Sequence, residues 1–142
     1  MALTQGTNCG FVTSRPTTDP AATAVTSDGS SFVHKHTSPA TNTLITEIGW
    51  YKASGTTSSN FIVGLYSESA GVAATRLQIS GTAASGTTAG WKIISSLNWN
   101  ISPSTVYWLA MQHTAHSGTS QTQTAASGGA GIDTQTSQTT LN

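Results

Sequence analysis

Val106-Tyr107-Trp108-Leu109-Ala110-Met111-Gln112 decides the fold. Six of these seven residues are apolar or aromatic, and they fall on both parities. A strand with one wet face would alternate, so this run reads as a central strand buried on two sides. Upstream, Phe61, Val63 and Leu65 alternate against Asn60, Ile62, Gly64 and Tyr66. Residues 44–52 put Leu44, Ile48 and Trp50 on one side, with Glu47 and Tyr51 on the other. Trp91, Ile93, Leu97, Trp99 and Ile101 are all odd positions, which predicts one core-facing side and burial of both Trp91 and Trp99.

Turn signals separate these runs: Asp28-Gly29, Ser54-Gly55, Ala70-Gly71, Ser85-Gly86 and Ser102-Pro103. The period is two throughout residues 31–113, and no segment carries the 3.6-residue stripe of an amphipathic helix. Six to eight short strands with turns every ~8–12 residues predict an all-β protein, a single jelly-roll-like antiparallel β-sandwich. No internal repeat points to a propeller or solenoid.

Composition divides the 142 residues into three zones. Residues 1–30 form an N-terminal arm rich in Thr, Ala, Gly and Pro. Residues 31–113 hold nearly all the large apolar side chains and form the sandwich core. Residues 114–142 are low-complexity Thr, Gln, Ser, Gly and Ala, a C-terminal arm or added edge strand. With 26 Thr and 20 Ser, about a third of the chain carries a small hydroxyl. Leu, Ile, Val and Phe number only 24, but four Trp and three Tyr supply the missing apolar area. Disorder also requires a high net charge, and here five Lys+Arg cancel five Asp+Glu.

That charge balance excludes several partners. It provides no footprint for a phosphate backbone or an anionic membrane surface, so neither nucleic acid nor membrane is expected. No apolar run approaches the ~20 residues that span a bilayer. Met1 to Gly6 lacks the basic and apolar regions of a secretory signal. Cys9 is the only cysteine, so no internal disulfide is available. A surface this poor in charge resists association weakly, which suits a protein that lives in an assembly.

The stretches Phe61-Ile62-Val63-Gly64-Leu65-Tyr66-Ser67, Ala70-Gly71-Val72, Gly90-Trp91-Lys92 and Ser104-Thr105-Val106-Tyr107-Trp108-Leu109-Ala110-Met111-Gln112 follow a recurring pattern. Together they resemble the jelly-roll β-sandwich modules of bacteriophage virion proteins and of some secreted carbohydrate-binding proteins. The resemblance covers residues 44–113, and its motifs mainly report packing and turns. It implies a sandwich, and either a virion location or glycan binding.

Candidate sites are few. His34-Lys35-His36 places two imidazoles on one face of a strand, a spacing that metal sites use, with His113 and His116 near a second cluster. No carboxylate or cysteine accompanies His34 and His36, so two exposed histidines on an edge strand are the expectation and no metal is assigned. Acidic residues lie scattered at Asp19, Asp28, Glu47, Glu68 and Asp133, with Glu68 read in the turn after Tyr66. A glycosidase needs two carboxylates ~5–10 Å apart across one bond, and this scatter predicts none. No nucleophile elbow, phosphate loop or dinucleotide fingerprint occurs, so no enzyme and no cofactor are expected.

Aromatic residues are the remaining ligand candidates. Trp50 shares its face with Leu44 and Ile48 and is expected in the core. Tyr51, and either Tyr107 or Trp108, are the expected exposed aromatics for a sugar, with loops at 54–60, 67–75 and 81–90 around them. The Thr- and Gln-rich arms suit strand addition to neighbouring subunits. The competing arrangement is a tail folded back on its own sandwich as an edge strand. The sequence reading is therefore a bacteriophage structural protein, decorating or cementing a capsid or forming part of a fibre, whose partners are copies of itself and a major virion protein. The alternative is a carbohydrate- or receptor-binding module on the same sandwich.

Overall fold

The computed structural model describes residues 10–12, 24–26, 31–41, 43–54, 60–115, 121–123 and 132–135. All regular structure among them is β. The strands are β1 (Ala24–Thr26), β2 (Ser31–Thr37), β3 (Leu44–Ile45), β4 (Ile48–Ser54), β5 (Asn60–Ser69) and β6 (Val72–Ile79). They continue with β7 (Ala83–Ala84), β8 (Gly90–Ile94), β9 (Trp99–Asn100), β10 (Val106–Ala115), β11 (Gln121–Gln123) and β12 (Ile132–Gln135).

Every pairing is antiparallel. The larger sheet runs β12-β2-β10-β5-β6, with β7 paired to the start of β5. The smaller runs β1-β11-β4-β8, and β3 with β9 makes a short ribbon. Long-range pairing is nested: β2 lies on β10 and β4 lies on β8. The all-β, antiparallel, sandwich-like arrangement agrees with the sequence expectation, and β10 is the central strand its two apolar faces predict.

One core lies between the sheets. Phe61, Val63 and Leu65 of β5 and Tyr107 and Met111 of β10 meet Trp50 of β4, with Ile45, Trp99 and Ile101 closing one end. Trp50 sets its ring edge-on to Phe61 at 5.5 Å and to the buried His113 at 5.2 Å. Each edge-to-face pair adds about 1 kcal/mol to the burial itself. A second cluster sits on the other face of the larger sheet: Val33, Ile62, Tyr66, Trp108 and Ala110. Strands β5 and β10 are therefore apolar on both sides for a physical reason, since each feeds two clusters.

Two features of the chain depart from the sequence reading. The odd-numbered run from Trp91 to Ile101 is not one strand, because Ser96 takes a positive φ of 61°. That kink breaks the two-residue period, with Leu97 N–H donating to Thr46 O and Ile101 N–H to Thr43 O. Trp99 is buried as expected, but Trp91 pairs with Tyr51 on the outer face of the smaller sheet and is only partly buried. Glu68 lies within β5, not in a turn, and residues 67–75 form a hairpin instead of a loop.

That hairpin turns on Ala70 and Gly71, both at positive φ (52° and 85°), the mark of a type I′ turn. The Glu68 carboxylate accepts the Gly71 N–H and holds the turn shut. The arms take the added-edge-strand form that the sequence left open beside reaching to neighbours. Their described parts pair within the chain, β12 on β2 and β11 between β1 and β4, which is the fold-back arrangement.

Candidate functional site

The predicted ligand aromatics do not share one surface. Tyr107 is buried, and its hydroxyl accepts the Ser102 N–H at 2.9 Å, which ties down the turn before β10. Trp108 is 2% exposed and belongs to the second cluster. The expectation that one of this pair faces solvent is thus corrected: β10 is covered on both sides. Tyr51 is partly exposed and stands edge-on to Trp91 at 5.5 Å. Gly49 lies beside them, and a Cβ there would come within 3.7 Å of the Trp91 ring. Trp91 was legible as a site residue only if the kink at Ser96 had been visible in the sequence.

Across the outer face of the larger sheet, one row of cross-strand partners reads Lys35, Trp108, Tyr66, Arg76. The Lys35 ammonium sits 5.5 Å from the centre of the Trp108 ring, a cation–π contact. Burial raises the Tyr66 phenol above its ordinary pKa, against the pull of Arg76. Among the described residues the Tyr66 hydroxyl and the Trp108 indole N–H have no hydrogen-bond partner.

The histidines occupy the opposite face of β2. His34 and His36 stack with ring planes 4° apart and centroids 6.2 Å apart. His36 is the register partner of Tyr107, and His34 of Leu109, so both face the inter-sheet side. They are partly buried, and β2 lies between β12 and β10, so the expected exposed edge strand is corrected. Burial, reinforced by the neighbouring His36, pushes His34 down to about 4. Burial also lowers His36. Among the described residues no three His, Cys, Asp or Glu side chains gather as a metal site. His113 packs on Trp50 away from this pair, and His116 lies outside the described residues.

Two polar groups that sequence reasoning missed are structural. Lys52 is fully buried and donates to Gly86 O at 2.5 Å. Burial and then the nearby Lys92 charge hold its amine below the ordinary lysine range. Ser38 donates from Oγ to Ser102 O at 2.6 Å and accepts the Thr105 N–H at 2.9 Å, knotting the end of β2 to the entry of β10. Neither stands out by sequence pattern alone: Ser38 is one of 46 Ser and Thr residues, and Lys52 one of five Lys and Arg.

The most distinctive surface is β6. It is the edge strand of the larger sheet, and none of its eight residues is buried. Val72, Leu77 and Ile79 are 48%, 44% and 40% exposed. The pairing with β5 is irregular on both sides of Tyr66, so the strand is twisted at Arg76. Among the described residues no helix is long and apolar enough to cross a membrane. Comparison with family models, curated proteins and solved structures returns no match.

Proposed function

We propose that the chain is a structural subunit of a virus particle, a bacteriophage decoration, cement or fibre component that works by association with copies of itself and with a major virion protein. The observation that carries this reading is β6, an edge strand with no buried residue and three exposed aliphatic side chains. Soluble sheets usually blunt such an edge with charge, and here Arg76 is the strand's single charged residue. Covering the exposed halves of Val72, Leu77 and Ile79 contributes about 1 kcal/mol each, near 3 kcal/mol in total. Association costs ~4–15 kcal/mol in lost freedom, so one such contact does not make a stable dimer. Repeated over a symmetric particle, weak contacts of this size add by avidity.

The test is light scattering of the wild-type chain from micromolar to millimolar concentration, beside a Leu77→Asp/Ile79→Lys variant. The reading expects only weak association, growing toward millimolar concentration, that the variant loses while its circular dichroism is unchanged. A wild-type chain that stays monomeric throughout, and is not retained on purified particles, overturns it. A carbohydrate- or receptor-binding role draws support from one observation, the partly exposed Tyr51–Trp91 pair over Gly49. Glycan-array binding that Trp91→Ala abolishes would promote that role.

A further inference from the structure

The short segment Gly10–Val12 rests on the histidine face of β2. A Cβ at Gly10 would lie 2.7 Å from His36 Nδ1, so only a glycine backbone approaches the imidazole this closely. Gly10 has a φ of +71°, which also favours glycine there. Phe11 follows immediately and stands edge-on to Tyr107 at 6.3 Å, packed against the main core. Beneath Gly10, His36 Nδ1 is buried and has no hydrogen-bond partner among the described residues. The face is thus built for a neutral imidazole. A proton on His36 would put a charge under an apolar contact, with a second imidazole stacked 6.2 Å away.

We propose that Gly10–Val12 is an acid-releasable clasp: protonation of the stacked His34–His36 pair lifts the segment from the sandwich. Nothing facing the pair from the clasp is ionisable, since it consists of Gly10, Phe11 and Val12. From β10, Tyr107 is opposite His36 and engages its hydroxyl with Ser102, while Leu109 is opposite His34. On β2 itself, Lys35 points to the other face, over Trp108. On β12, Ile132 is in register with His34 and Asp133 with Val33, which makes Asp133 the nearest acidic register position. The charge of one imidazole opposes that of the other, and both are held low by burial. Release relieves both costs by admitting water to the rings. The inference is independent of whether the chain assembles through β6.

Cys9, the single cysteine and the neighbour of Gly10, provides the reporter. A fluorophore on Cys9 should show high anisotropy at pH 7.5 and a reversible loss between pH 6.5 and 4.5. The His34→Gln/His36→Gln chain should keep its anisotropy across that range. Gly10→Ala, whose added methyl meets the imidazole, should already be low at pH 7.5 with circular dichroism unchanged. Three results overturn the clasp: wild-type anisotropy that does not change with pH, an equal loss in the double variant, or a Gly10→Ala chain indistinguishable from wild type at pH 7.5. Should the double variant not fold, the pH series on wild type and the Gly10→Ala comparison decide the matter.

Discussion

Acid should destabilise this sandwich chiefly through one histidine. The folded chain holds His34 at about 4, against an ordinary value of 6.5. The unfolded chain therefore accepts a proton that the folded chain refuses. For a base with a depressed folded pKa, the stabilisation is complete above pH 6.5 and is lost as pH falls toward 4. The gap of about 2.5 pH corresponds to roughly 3 kcal/mol at full loss, and up to about 2 kcal/mol of that is gone by pH 5, less where the clasp has already opened and admitted water. For a domain of this size, 2 kcal/mol lowers Tm by about 6 °C. His36 adds a loss of the same sign.

The measurement is chemical denaturation at pH 7.5 and pH 5 for wild type and His34→Gln. Glutamine cannot take the proton, so the variant should lose up to about 2 kcal/mol less over that interval. Comparing the two differences cancels whatever the substitution costs at neutral pH. The background is favourable, because only five Asp and Glu exist to titrate near pH 5. Equal losses in the two chains would refute the reasoning, since the depressed histidine would then carry no linkage.

Three further outcomes follow from contacts described above. Ala70→Asn places the residue that type I′ turns prefer at a φ of 52° and should stabilise the β5–β6 hairpin by about 0.5–1 kcal/mol in urea unfolding. Ser38→Ala removes both the donor to Ser102 O and the acceptor of Thr105 N–H, and should cost about 1–3 kcal/mol by the same assay. Ending the chain after Ala115 removes β11 and β12 and uncovers edges of β4 and β2; scattering should then show aggregation on mild heating well below the wild-type Tm.

Fold class was legible because its signal is carried by bulk and period. Val106–Gln112 is apolar on both parities, and a strand with that pattern has to be central. Phe61, Val63 and Leu65 announced one face of β5, while Ile62 and Tyr66, read as its opposite, proved equally buried in a second cluster. The register of β8 was not legible. Ser96 is the residue that breaks it, and nothing in Ser95-Ser96-Leu97 marks a positive φ in a chain with serine everywhere. Once the count slips by one, Trp91 moves from core to outer face and joins Tyr51. The pairing of His34 with His36 was visible in the spacing, but its burial under Gly10 depends on a contact spanning more than twenty residues of sequence. The openness of β6 was likewise invisible, because the exposure of Val72, Leu77 and Ile79 depends on tertiary packing and not on the strand's own pattern.

The position of β10 has a consequence for how the molecule comes into being. It is among the last strands of the core to leave a ribosome, yet β2 and β5 both take it as their partner. Until residues 106–115 are available, β2 has no inner neighbour and the halves of the larger sheet cannot join. Folding of the larger sheet therefore waits on synthesis of residues 106–115 and proceeds through distant pairings, the regime in which β proteins fold in milliseconds to seconds. In that interval the hydrophobic stretch Phe61–Tyr66 is exposed on a nascent chain with almost no charge to keep neighbours apart. Crowded translation of many copies should therefore favour chaperone engagement at that stretch, and a slower elongation rate should reduce its exposure to other chains only if release from the ribosome follows promptly.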